Sequence, residues 1–582
     1  MTHVTRTRQP TGRAVRLGAL VAALVLATSA CGGEADSPEG GAAAVDPGQN
    51  PEPEGSPQQG GSITVALEAE SNGWLPGTSA AAAPGYNVLH AVYDTLVMQN
   101  SEGTYEPYLA KSYESNEDFT QWTFTLRDGV TFHDGSALTA EVIVQNLAIL
   151  KQPTSNLAGA LAEVSTADVV DPLTVRYNLS RPNAAFPALL VTTPGMPFSM
   201  QSYDKLGADG ANANPVGTGP FAFESWVRDD RLTVVANKNY WGTAEDLGPY
   251  LDEVVFRPIP DEDTRLQSLL SGDVDAFQTL RQSIVAQAQD KAEGGEIAAH
   301  TFIGNNGGNS IFNTLVATLD DPRVRRGLTH AADQEQLIEV LGGTGIVSPK
   351  TQFYSKESPF YSDAVAEAYP AFDPDQATEL LQEYIDDPQR SDGQPVGTPV
   401  SIEYNCQPDP SLTELAQAYQ AFWSNVGVKV SLNAVDQATH IGNAIGSPAT
   451  DPPFAGDYIA NCWRSGSEGD PFNVLKNEFG PVELQPLNFT NYSSDVLTEQ
   501  LGVLATTPTD DVEARQEAVE QIGLDLAENM PILWTAPTVA MFGVDPSLQN
   551  LSDWQLPGGS EGVGLGLFQG GTTMWGQVWL AK

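Results

Sequence analysis

The rhythm of apolar and polar residues changes many times along the chain. Ser62–Leu67 alternates with period two, as a half-buried strand does. Val88–Val97 is an apolar run of helical length carrying Tyr93. Trp122, Phe124 and Leu126 alternate again, and so do Leu173, Val175, Tyr177 and Leu179. Between them a helix begun by Thr139 places Ile143, Leu147 and Leu150 on one face. Asp128-Gly129 and Asp134-Gly135 supply tight reversals. Phe221 and Phe223 against Leu232 and Val234 read as a hairpin, and Leu251–Ile259 follows as another segment of the same region. Leu266, Leu269 and Leu270 make a helical face that Gly272 stops.

In the second half, Asp321-Pro322 reads as an N-cap and first helical residue. Asp333 with Gln336, and Ser411 with Glu414, read as capping boxes, and Gly342 and Gly427 end the two helices. Leu415, Phe422 and Trp423 are the apolar residues of the second. Ser401–Tyr404 and Val428–Val435 flank that helix as strands, a β-α-β unit that implies parallel pairing. A third strand is expected at Asp457–Trp463, then helical text from Asp495 to Glu528, then the apolar Met530–Trp534.

The first 30 residues do not fit this scheme. Arg6, Arg8, Arg13 and Arg16 precede an apolar run, Leu17–Ala27, too short to span a bilayer and suited to an export signal. Thr28-Ser29-Ala30-Cys31 resembles a bacterial lipobox, which implies lipidation of Cys31 and anchorage on the outer face of the cytoplasmic membrane. Gly32–Gly60 is Gly, Pro, Ala, Ser and acid with almost no large apolar residue. It reads as a disordered tether that carries a globular body away from the membrane.

Length and charge narrow the classes. At 582 residues the chain exceeds one core, so two or three domains are expected. Lys+Arg 28 against Asp+Glu 74 gives −46, which repels phosphate backbones and disfavours nucleic acid as a partner. No Gly-Lys dipeptide occurs, so there is no P-loop, and no His precedes Glu, so the zinc-protease helix is excluded. The six His have no paired spacing for a metal. Gly558–Gly562 matches G-x-S-x-G, but no His follows Ser560, and the stretch reads as a loop. No catalytic residue, cofactor or metal is expected, and the chain reads as a non-enzyme.

Three segments carry a resemblance: Arg127-Asp128-Gly129-Val130 with Phe132-His133-Asp134-Gly135; Pro215-Val-Gly-Thr-Gly-Pro-Phe221 with Asn237-Lys-Asn-Tyr-Trp-Gly242; and Met530–Trp534. In this order they resemble the family 5 extracellular solute-binding proteins, the dipeptide- and oligopeptide-binding lipoproteins of bacterial ABC importers. The resemblance implies an α/β, two-lobed periplasmic-binding-protein type II fold of the three-domain peptide-binding subclass, with mixed sheets and flanking helices. Lobe one comprises 61–100, 214–296 and 530–582, an extra α+β domain 101–213, and lobe two 297–529. It implies a monomer that captures a peptide or similar solute and hands it to a permease with its ATPase subunits. The same fold used as an envelope-anchored receptor for a glycolipid or a protein is the alternative.

Two loops leave the carboxyl ends of strands with aromatic and polar residues, where pockets form in open α/β sheets. These are Glu70, Ser71, Asn72 and Trp74, and Trp463, Arg464, Ser465, Ser467, Glu468 and Asp470. The resemblance places them on opposite sides of the cleft. In peptide-binding members an Asp four residues before the Pro of the cleft loop holds the peptide ammonium; here that position is Ser467, with Glu468 or Glu70 as substitutes. Arg464 implies an accepting or negative group on the ligand. Cys406 and Cys462, the two thiols left once Cys31 is lipidated, are expected to pair in an oxidising setting. The hinge is expected near Glu296–His300 and Asn529–Pro531.

Overall fold

A computed structural model describes residues 50–79, 81–356, 358–408, 410–445, 456–465, 469–481, 488–567 and 570–582. Side chains are not described for residues 306, 410, 411, 437, 438, 445, 464 and 465. The export signal, Cys31, Ser467 and Glu468 lie outside these residues.

One ten-stranded mixed sheet runs through both lobes. In spatial order its strands are Lys429–Ala434, Ser401–Cys406, Ala460–Ser465, Ala298–Phe312, Ile532–Val544, Ala276–Thr279, Ser62–Leu67, Glu253–Pro258, Arg231–Ala236 and Phe221–Val227. The two central strands are long, 15 and 13 residues, and pair antiparallel on both sides of the crossing, Ala298–Ile303 with Val539–Val544 and Gly307–Ile311 with Ile532–Pro537. At one end Ile532–Val544 is flanked by Ala276–Thr279; at the other Ala298–Phe312 is flanked by Ala460–Ser465. They are therefore the two crossovers. The register between them shifts twice: between Ile303, opposite Val539, and Gly307, opposite Pro537; and between Gly308, opposite Ala536, and Asn309, opposite Trp534. The change of partners thus falls inside the strands, several residues beyond Glu296–His300 and Asn529–Pro531. Main-chain pairing is found on both sides of the crossing, so the strands run on past it and give no local signal of a domain end.

Local chemistry explains most element ends. Thr139, Asp321 and Asp333 each cap a helix by accepting a hydrogen bond from its first turn. The helix expected to open at Ser411 begins instead at Pro410, a favoured first helical residue. The expected Val88–Val97 helix is shifted: it runs Ala83–Val92, and Val97–Gln99 is already a strand. Part of the expected tether is also not free. Asn50 exchanges two hydrogen bonds with the Thr301 backbone, Glu54 N–H donates to Gln549 and Gly60 N–H to the Tyr250 carbonyl. Low apolar content did not foretell these contacts because they are made with main-chain groups.

The extra domain is a four-stranded antiparallel sheet, Ala110–Ser115, Gln121–Leu126, Thr174–Leu179 and Val164–Asp171, covered by helix Ala140–Leu150. Its core of Trp122, Phe124, Tyr177 and Phe186 is continuous with that of lobe one. The Pro215–Phe221 segment joins them. A Cβ on Gly219 would lie 2.6 Å from the Val92 carbonyl carbon, so only glycine permits that approach. Thr218 donates to the buried Asp94, and the His133 ring meets the Gly219 carbonyl at 3.0 Å. The two sequence motifs therefore occur together because they are one contact.

Candidate functional site

The parallel strands of each lobe end facing the other lobe. Ser62–Leu67 and Ala276–Thr279 run toward the middle of the crossovers from one side. Ser401–Cys406 and Ala460–Ser465 run toward it from the other. Carboxyl ends of strands from both lobes thus converge on the crossing point. This is the arrangement that makes a binding crevice in open α/β sheets.

One face of the crossing is aromatic. Asn309 sits in register between Trp463 on one neighbouring strand and Trp534 on the other. Cross-strand partners share a face, so Trp463, Asn309 and Trp534 form a row. Phe489 packs on Trp463 with centroids 4.5 Å apart, and His440 stacks on it at 5.6 Å. Phe353 meets Trp534 edge-on at 5.6 Å. The Lys350 ammonium, buried, lies 4.9 Å over Trp534 and donates to the Asn305 carbonyl. Asn309 is fully buried, and among the described residues its Oδ1 meets no hydrogen-bond partner. Tyr105 of the extra domain reaches the same region. Its hydroxyl is held well above the usual range by burial, then by the nearby Asp470 carboxylate.

The sequence-derived site residues divide into groups. Trp463 is half-buried in the row just described. Arg464 and Ser465 continue its strand opposite Gly308 and Gly307. Asp470 lies at the amino end of helix Pro471–Phe479, where it caps Phe472 N–H and pairs with the buried Arg515. Its carboxylate positions that helix, and burial raises its pKa despite the partner. On the other side, Glu70 accepts from the Trp226 indole at 3.0 Å, and Ser71 meets Ser79 at 3.0 Å. The Asn72 carbonyl accepts from Arg228. Trp74 is 2% exposed and packs edge-on against Trp226. This loop is pinned to Asn212 through Trp74 N–H and Leu75 N–H. Cys406 and Cys462 are joined on the opposite face of the second-lobe sheet, their Cα atoms 5.2 Å apart.

Sequence reasoning missed Lys350, Asn309, Phe353 and Tyr105. No local signal marks them: Lys350 stands in Ser-Pro-Lys-Thr-Gln with Lys356 six residues on. A solvent-open cavity of about 140 Å³ lies behind the crossing, lined by Glu68, Arg281, Leu412, Leu415 and Thr535 among others. Thr535 there bonds Tyr419, on the face away from Trp534. Among the described residues no group of three or more His, Cys, Asp or Glu could hold a metal, and no helix is long and apolar enough to cross a membrane.

Known proteins share this organisation. The family model described as bacterial extracellular solute-binding proteins, family 5 middle, matches residues 104–481. The glutathione-binding protein GsiB of Salmonella paratyphi A is 26% identical over 431 residues, 72% of this chain and 78% of that protein. Its counterpart from Pectobacterium atrosepticum is 28% identical over 411 residues, 69% and 74%. Among solved structures, the binding protein AgaA of A. tumefaciens R10 in complex with agropinic acid superposes with a TM-score of 0.73 at 24% identity, covering 90% of this chain and 99% of that one. DppA of Helicobacter pylori, in complex with the peptide STSA, gives 0.72 at 20%, covering 90% and 99%.

Proposed function

Because the chain belongs to the family 5 bacterial extracellular solute-binding proteins, we propose that it captures a peptide or peptide-like solute at the crossing of its two lobes and delivers it to an ABC permease. As in its family, it is a solute-binding protein of ABC importers and not an enzyme. The observation that carries the finer reading is the Trp463–Asn309–Trp534 row, lying where strand ends of both lobes converge. An aromatic floor with one buried amide and one buried ammonium suits an amphipathic solute of peptide size with a carboxylate or carbonyl to offer. The ammonium end is then not taken by a carboxylate at position 467, which is Ser. Asp470 is already paired and Glu70 already holds Trp226, which supports a ligand without the usual amine anchor.

Calorimetry with glutathione, a free tripeptide and its N-acetylated form tests this. Comparable affinity for the free and acetylated tripeptides is expected. Loss of binding on acetylation, with Glu468→Gln abolishing binding of the free peptide while Ser467→Ala leaves it unchanged, would refute it. Anchorage through Cys31 belongs to the same proposal and is tested by mass spectrometry of the mature amino terminus. An unacylated terminus, released to the medium as freely as that of Cys31→Ala, would overturn it.

A further inference from the structure

The extra domain and the second lobe meet beside the cleft through polar groups, Glu163, Asn183 and Lys476 buried and Asn473 half-buried. Glu163, at the edge of the extra-domain sheet, pairs with Lys476 at 3.1 Å, each side chain 9% exposed, and more loosely, at 3.9 Å, with the half-exposed Arg181 of its own domain, which leaves Lys476 as the cation that crosses to the second lobe. Asn183 Nδ2 donates to Asn473 Oδ1 at 3.3 Å, and Asn473 Nδ2 returns a bond to the Ala185 carbonyl at 2.9 Å. Ala184 N–H donates to the Ala505 carbonyl at 2.8 Å, a main-chain bond between the two bodies. Ala185 itself packs into the second-lobe core with Phe472 and Leu497. Lys476 and Asn473 both lie on helix Pro471–Phe479, which Asp470 caps where the cleft loop ends.

We propose that this contact is a latch: Glu163 and Asn183 clasp helix Pro471–Phe479, hold the second lobe against the extra domain, and set how long a solute stays enclosed. It rests on the solute-binding reading for the last clause only. A buried pair is lost at a high cost when one partner alone is removed, and at little cost when both are. The same helix carries the latch residues on its body and the cleft loop at its start, so releasing one moves the other. Glu163, Asn183, Asn473 and Lys476 are positioning residues; none of them belongs to the Trp463–Asn309–Trp534 row.

The test compares the parent with Lys476→Met, Glu163→Gln and the double variant. The radius of gyration is measured by small-angle scattering without ligand, and dissociation of glutathione by stopped flow. Lys476→Met is expected to enlarge the ligand-free radius and to speed glutathione release on the order of tenfold, since affinity changes appear mostly in the off-rate. The double variant is expected to return part of the way in both. Asn473→Leu, which adds no buried charge, is expected to act in the same direction as Lys476→Met. Equal ligand-free radii in parent and Lys476→Met overturn the latch, as does a lowered melting temperature with radius and release unchanged. If glutathione does not bind the parent, the radii alone decide the latch. If it binds and neither radius nor release responds, the latch fails while the binding reading stands.

Discussion

Arg515 and Asp470 offer a sharp test of the forces that hold the second lobe together. Arg515 is completely buried and Asp470 is 4% exposed. The guanidinium donates to the Asp470 carboxylate and to the carbonyls of Leu504 and Thr507. Removing Asp470's charge by Asp470→Asn keeps an N-cap, because Asn caps as well as Asp. It leaves a cation enclosed with only carbonyl partners, at a cost of about 3–5 kcal/mol. Arg515→Met strands the carboxylate instead. Its pKa is already raised by burial, so protonation offers it an escape, and the loss shrinks as pH falls. The double variant carries neither charge and is expected to cost far less than the sum of the singles. Equilibrium urea unfolding of all four proteins at pH 7.5 and 5.5 measures this as a coupling energy. Single variants within about 0.5 kcal/mol of the parent, the range of ordinary surface changes, would refute the reasoning. So would a double variant as damaged as the two singles added together.

The Cys406–Cys462 bridge closes a loop of sequence separation 56, for which loop entropy gives about 4 kcal/mol. Thiol titration of the denatured, unreduced protein is expected to find neither residue free, and two reactive thiols would refute the bridge. Stability is expected to fall between pH 6.5 and 4. Burial lowers His90, His133 and His300 from 6.5 to about 4 each, so the unfolded chain takes up protons there that the folded one refuses. That removes roughly 3 kcal/mol per histidine. Asp94 opposes this. Burial raises it from 3.8 to about 6, so the folded state gains from its protonation over much of the same range. Burial raises Asp470, Asp275 and Asp553 in the same direction as Asp94, and lowers His440 with the other histidines. The histidine loss is expected to prevail, and a melting temperature equal at pH 7 and pH 5 would contradict that balance.

What could be read from the chain was what short-range chemistry decides. Thr139, Asp321 and Asp333 announce helix starts because their partners lie two or three residues away. The alternation in Trp122–Leu126 reports a sheet face wherever that sheet packs. The strands that carry Cys406 and Cys462 are neighbours, as a β-α-β-α-β order allows. The site was harder. Asp470 reads as a cleft residue until Arg515, far along the chain, is seen to hold it. Glu70 likewise reads as available until Trp226 arrives from another strand. Asn309 has no distinguishing neighbours in sequence; its place between two tryptophans is a matter of register across three strands. Residues such as these acquire meaning only from partners that the linear order separates.

The shared sheet also sets an order of events when the chain is made. Ala276–Thr279 completes its pairing only with Met541–Val544, nearly the last strand to emerge from the ribosome. Until then the first lobe has an open edge beside Phe277, with unpaired amides and carbonyls that invite association with other chains. The second lobe waits on the same segment, since Ile532–Ala536 pairs with Gly308–Ile311. One late strand therefore finishes both halves at once. A chain truncated before Ile532 is expected to yield two sticky fragments and not one folded lobe with a tail.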